Sequence, residues 1–178
     1  MAEGKNILIA GFGGQGILFT GKFIVYTGML TGGEVSWLPS YGPEMRGGTA
    51  NCSVIISDTP IGSPIVEKPD ILVVMNRPSF DKYENSCVIG AKLFVDSTLI
   101  ERKTQRDDLE AFYIPATGLA DENNLNGLAN MVMAGKVLRE TNICPYETIA
   151  EAMKKTVPER KKNLFDANIR AIELGWNY

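Results

Sequence analysis

The sequence predicts an α/β protein: a layered sheet with flanking helices, opened by a Rossmann-like strand–glycine-loop–helix unit and closed by a helical C-terminal third. Three observations predict it. The apolar run Asn6-Ile7-Leu8-Ile9-Ala10 leads directly into Gly11-Phe12-Gly13-Gly14-Gln15-Gly16 and then into a helical pattern from Ile17. Short apolar runs recur at Ile71–Met75 and Lys92–Asp96, as in strands covered on both faces. From Leu125 onward, apolar residues recur at the spacing of amphipathic helices.

Each element follows from local pattern. Ile17 to about Leu30 reads as a helix whose inner face carries Ile17, Gly21, Ile24, Val25 and Gly28. Its two glycines would let it lie close to the sheet, at a cost in helix propensity. Thr31-Gly32-Gly33 is the stop signal. Glu34–Leu38 reads as a second strand, ended by Pro39, and Ser40–Gly48 as a loop. Thr49–Ser57 reads as a strand with Ala50, Cys52, Val54 and Ile56 on one face. Asp58–Lys68 is a turn-rich connection, and Phe112–Pro115 a short last strand. Asn76-Arg77-Pro78 reads as a loop leading to a helix N-cap at Ser79. In the final third, Leu125, Leu128, Ala129, Val132, Met133 and Val137 form one stripe. Helices are expected over Pro145–Thr156 and Asn163–Leu174, with Gly175 as the C′ glycine of the last. No repeat or dividing linker appears, so residues 1–178 read as a single domain.

Composition narrows the functional classes. A chain of 178 residues with a formal charge of −3 is long enough for a core and carries no nucleic-acid signature. The basic run Lys154–Lys162, broken by Val157, Pro158 and Glu159, reads as a solvated helix–loop junction. The apolar segment Ile7–Ala10 is too short for a signal region or a membrane span. Cys52, Cys87 and Cys144 are widely spaced, which points to a reducing, cytoplasmic setting and away from a zinc or iron–sulfur site. With no histidine in the chain, Ser-His and Cys-His nucleophiles are excluded.

Two motifs carry the chemistry. In Gly11-x-Gly13-Gly14-x-Gly16 the glycines allow a sharp turn and bring backbone N–H groups close to an anion at a helix N-terminus. The same glycines would also serve a tight turn without a ligand. A dinucleotide site would need an acid at the end of the second strand, where Trp37-Leu38-Pro39-Ser40 stands instead, and no Gly-Lys-Ser/Thr closes a P-loop. The second motif is Pro39-Ser40-Tyr41-Gly42-Pro43-Glu44-Met45-Arg46-Gly47-Gly48. Arg46 is its clamp for a phosphate or carboxylate, against the alternative of an ordinary turn with a surface Glu–Arg pair. The candidate ligand-facing set is Gly11, Gly13, Gly14, Gln15, Gly16, Ser40, Tyr41, Gly42, Glu44, Arg46, Gly47 and Gly48. No catalytic residue and no metal ligand stands out.

Both motifs, with Pro69-Asp70-Ile71-Leu72-Val73-Val74-Met75 and Asn168–Gly175, give the chain its likeness. It resembles the γ subunits of 2-oxoacid:ferredoxin oxidoreductases, which convert a 2-oxoacid, coenzyme A and oxidised ferredoxin to an acyl-CoA, CO₂ and reduced ferredoxin. Gly-Phe-Gly-Gly-Gln-Gly-Ile looks most like the 2-oxoglutarate type. Pyruvate-type relatives more often carry a basic residue where this chain has Phe12. The resemblance implies an accessory subunit that helps form the coenzyme A side of an active site. It also implies that thiamine diphosphate, Mg and an iron–sulfur cluster are held by partner chains. Those partners are alpha and beta subunits, with or without a small ferredoxin-like delta subunit, and ferredoxin. Asn123-Asn124 without an upstream Gly-Asp-Gly agrees with the absence of a thiamine site here. The competing readings are a free-standing nucleotide-binding enzyme and a regulatory ligand-binding domain.

Overall fold

A computed structural model describes residues 4–40 and 49–178. The described strands are β1 (Lys5–Phe12), β2 (Glu34–Ser40), β3 (Thr49–Ser57), β4 (Ile71–Val74), β5 (Lys92–Asp96) and β6 (Glu110–Ile114). The described helices are α1 (Ile17–Leu30), α2 (Arg77–Tyr83), α3 (Ala116–Glu122), α4 (Ala129–Thr141), α5 (Thr148–Thr156) and α6 (Phe165–Asn177). Short 3-10 turns follow α2 at Glu84–Ser86 and precede α6 at Glu159–Leu164.

The strands form one sheet in the order β2-β3-β1-β4-β5-β6. β1, β4, β5 and β6 run parallel, while β3 runs antiparallel between β1 and β2. Side-chain alternation explains why Ile7–Ala10 of β1 and all of β4 are apolar. Ile7, Ile9, Ile71 and Val73 enter the core under α1 and α4–α6. Leu8, Leu72 and Val74 enter a second core with Phe80 of α2. Every residue of such a strand meets a covered face.

α1 spans the expected residues, and its glycines act as read. A Cβ on Gly21 would lie 2.5 Å from Cys52 Sγ, and one on Gly28 would lie 2.8 Å from Ile56. Ile17, Gly21, Ile24 and Gly28 are buried. β3 and β5 also match the expected spans.

Other boundaries moved, each for a physical reason. β2 continues through Pro39 to Ser40, because it is an edge strand and the missing N–H costs the ladder nothing there. The helix after β4 is capped by Asn76, not Ser79: Asn76 Oδ1 accepts the Ser79 N–H at 2.8 Å, and Pro78 sits in the first turn. The last strand begins at Glu110 rather than Phe112. α3 had no periodic signal and was not expected. The stripe begun at Leu125 and Leu128 precedes α4 rather than belonging to it. α5 begins at Thr148, and α6 at Phe165.

Gly175 is a correction of a different kind. It lies inside α6, not after it. Its hydrogen atoms face α4: a Cβ there would stand 1.7 Å from Val132 O. Gly135 of α4 makes the reciprocal approach, with its Cβ position 2.0 Å from Ile172 O. The pair lets two helix backbones touch and seals the core against Ile172, Ala171 and Met131, all fully buried.

Candidate functional site

β1 ends in the turn that the glycines were expected to make. Gly14 (φ +95°) and Gly16 (φ +75°) hold left-handed backbone conformations, which cost an L side chain about 1–2 kcal/mol. Gly13 and Gly14 are exposed, and no atom lies within 4 Å of the Cβ position of Gly14. Gly16 is the N-cap of α1 and brings no side chain to the free amides of the first turn. Those amides and the helix dipole favour an anion by about 0.3–1 kcal/mol per facing charge. Gly16 must also be small because Asn130 of α4 sits beside it. A Cβ would meet Asn130 Nδ2 at 2.4 Å.

Gly11 and Gln15 have places inside the chain. Gly11 is a buried residue of β1, and a Cβ there would meet Gln15 Oε1 at 2.6 Å and Ile17 at 2.7 Å. Gln15 Oε1 accepts the Phe12 N–H at 2.6 Å, and Gln15 Nε2 donates to Met75 O at 2.9 Å. One end of this amide closes the turn on Phe12 at the end of β1, and the other ties it to Met75, the residue after β4. The tie crosses the point where connections leave the sheet in opposite directions, where open α/β sheets place ligands.

Asn130 was not singled out from the sequence. Its Nδ2 donates to Gly16 O (3.2 Å) and to Thr20 Oγ1 (3.1 Å), so α4 holds the start of α1 across 114 residues of chain. No local pattern marks such a contact. The same holds for Asn51, whose Nδ2 donates to Tyr83 OH at 3.1 Å beside Ser40, along a cleft of ≈ 480 Å³.

Of the second motif, Pro39 and Ser40 are described: Ser40 is the exposed last residue of β2, opposite Asn51, and Pro39 pairs with Cys52. Tyr41, Gly42, Glu44, Arg46, Gly47 and Gly48 lie outside the described residues. Their anchors are informative. Phe12, at the end of β1, pairs in register with Thr49 of β3, and Ser40 pairs with Asn51. The segment therefore leaves and rejoins the sheet at the edge that carries the glycine turn.

Among the described residues, no three His, Cys, Asp or Glu side chains come together as a metal site. All three cysteines are buried free thiols, and Cys87 lies on the opposite sheet face from Cys52 and Cys144. Burial pushes the Cys52 thiol up to about 12, and those of Cys87 and Cys144 up to about 11, which is the reverse of what a metal ligand or nucleophile needs. Buried and on separate faces, these thiols do not fit an iron–sulfur cluster. Among the described residues no helix is long and apolar enough to cross a membrane.

The described residues thus form an α/β sheet covered on both faces, with a glycine turn at its carboxyl edge and a first helical turn that has no side-chain cap. Residues 6–178 match the family described as pyruvate ferredoxin/flavodoxin oxidoreductase, and the chain belongs to that family. It is 39% identical over 165 residues to the 2-oxoglutarate synthase subunit KorC of Methanocaldococcus jannaschii, covering 90% of this chain and 88% of the relative. It is 37% identical over 172 residues to the ketoisovalerate oxidoreductase subunit VorA of Methanothermobacter thermautotrophicus, covering 96% of this chain. That match spans only 35% of VorA, so the chain covers about a third of the length of that relative. Its fold superposes on the keto/oxoacid ferredoxin oxidoreductase gamma subunit from Geobacter sulfurreducens with a TM-score of 0.82 at 27% identity, covering 97% of this chain and 96% of that one.

Proposed function

We propose that the chain acts as a γ-type subunit of a 2-oxoacid:ferredoxin oxidoreductase, with 2-oxoglutarate as substrate. The reaction takes 2-oxoglutarate, coenzyme A and oxidised ferredoxin to succinyl-CoA, CO₂ and reduced ferredoxin. The observation that carries this reading is the convergence on one sheet edge of the glycine turn, the free first turn of α1 and both anchors of the Ser40–Gly48 segment. Coenzyme A is the ligand such an edge suits. Its phosphates meet backbone amides at Gly13–Gly16, Arg46 forks onto an anionic group, and Gly42, Gly47 and Gly48 keep side chains out of the way. Gly11 and Gln15 serve the same site from behind by fixing the turn.

In this reading thiamine diphosphate with Mg and the iron–sulfur cluster are held by partner chains, and the buried, separated thiols of this chain support that for the cluster. Thiamine diphosphate supplies the carbanion chemistry of decarboxylation there, and the cluster carries electrons to ferredoxin. The partners are alpha and beta subunits, with or without a small delta subunit. In this reading residues 1–178 work as a single domain in the cytoplasm.

The test is a reconstitution. The purified chain, given 2-oxoglutarate, coenzyme A, thiamine diphosphate and a viologen, should reduce no viologen, and adding alpha and beta subunits should start turnover. Substantial turnover by the chain alone, or NAD reduction by it, would overturn the accessory-subunit reading.

A further inference from the structure

The basic run at the end of α5 stands apart from the glycine edge's proposed ligand. Residues 154–162 carry five basic side chains and one acidic one, in a chain whose net charge is −3. Lys162 pairs with Glu159. Lys154, Lys155, Arg160 and Lys161 form no ion pair among the described residues; Lys5, Lys22, Lys68, Lys82, Lys103, Arg139 and Arg170 form none either, but only in this run do such cations cluster along the chain. Charge left uncompensated in one place is a surface prepared for the opposite charge.

Beside this run lies a cleft of ≈ 240 Å³ walled by Phe19, Leu128, Val157 and Leu164, with Lys161 in its lining. Gly16 and Asn130 form its inner end. Asn130 is 4% exposed, and its Oδ1 accepts no hydrogen bond although the atom is buried. Leaving such an acceptor empty costs about 1–3 kcal/mol. Two demands thus meet in one cleft: Lys161 calls for an anion and the walls call for apolar surface, with the unmet Asn130 Oδ1 buried behind their inner end.

We propose that this cleft is the docking socket for an acidic segment of a partner subunit, with an apolar side chain in the cleft and a carboxylate on the basic run, whose Lys161 lines the cleft. A peptide supplies both features at once: a carboxylate for Lys161 and an apolar side chain for the walls. A free phosphate would satisfy the cations and leave the walls unmet. The proposal rests on the reading of the chain as one subunit of an assembly.

The experiment is zero-length carbodiimide coupling of the assembled complex, with the joined peptides read by mass spectrometry. Lys161 or Lys155 should be joined to an Asp or Glu of a partner chain. In parallel, acetylation of Lys155 and Lys161 should be slower in the complex than in the isolated chain. The double variant Lys155→Glu/Lys161→Glu should keep its fold and bind its partners roughly tenfold more weakly or worse. Equal acetylation in both states with no coupled peptide overturns the socket while leaving the subunit reading standing. Protection of these lysines in the isolated chain by coenzyme A or inorganic phosphate overturns it in favour of a small-anion site. Failure to assemble with any oxidoreductase subunit overturns the subunit reading and the socket together.

Discussion

Gly175→Ala should destabilise the protein severely, although alanine is the better helix former. By propensity alone, the change inside α6 favours the variant by about 1 kcal/mol. The added Cβ would stand 1.7 Å from Val132 O, and ordinary contact begins at 3.4 Å, so the α4 and α6 backbones must part by about 1.7 Å. The obstacle is main chain on a packed helix, not the far end of a flexible side chain. Parting the helices uncovers Ala171 and Ile172, both fully buried. Overpacking costs about 1–3 kcal/mol and often more against backbone. Exposing one large aliphatic side chain costs a further 1.5–3 kcal/mol or so. The net loss is about 3 kcal/mol or greater, which for a chain of this size lowers Tm by roughly 6–12 °C. Thermal and urea unfolding of the isolated chain measure it. Gly62→Ala is the control, because nothing lies within 4 Å of its Cβ position and its φ is not in the left-handed region; it should change stability little. A Gly175→Ala variant as stable as the wild type would show that α4 and α6 do not meet backbone to backbone, and would refute the reasoning.

Further outcomes follow from the same geometry. Gln15→Glu loses the donor to Met75 O and sets a carboxylate against that carbonyl, so it should cost about 1–3 kcal/mol in urea unfolding, whereas Lys5→Gln, with no such tie, should be neutral. Arg46→Ala should lower kcat/KM of the assembled complex about tenfold or more, with Arg46→Lys recovering part and the Tm of the isolated chain unmoved; unfolding of the isolated chain would make the arginine structural. The cysteines give a pH prediction. Burial raises the folded-state value of Cys52 to about 12 and those of Cys87 and Cys144 to about 11, above the unfolded thiol near 8.5. The stabilisation is therefore fully present below about pH 8.5 and is lost as pH rises through 11 to 12. Urea midpoints against pH should fall along this alkaline limb, less steeply in Cys52→Ala, and a thiol reagent at pH 8 should label the native protein only as fast as it unfolds.

What the sequence revealed depended on how local each signal was. α1 was legible to the residue because glycines bracket it and a 14-residue periodic pattern lies between. β3 and β5 were legible because alternation and apolar runs stop at turn residues. Pro39 misled because its meaning depends on whether a strand lies at an edge, which is a fact about the whole sheet. Gly175 misled because a glycine near a helix end fits a C′ position or a helix contact equally well, and only the path of α4 decides. In the candidate site, Gly14 and Gly16 announced their left-handed backbone. Asn130 announced nothing, since its partner Gly16 is 114 residues away.

The edge position of Pro39 has a consequence for how the molecule associates. An open sheet edge is a template on which a further strand from another chain can grow, and uncontrolled growth of that kind ends in aggregation. β2 is the edge strand, and Pro39, one residue from its end, can offer no N–H to an incoming strand. Lateral extension is thus blocked beside the very margin where the glycine turn and the segment after Ser40 emerge. Any companion chain must approach that margin end-on, through backbone amides and side chains, rather than by zipping onto the sheet. Specific assembly and resistance to polymerisation are served there by the same proline.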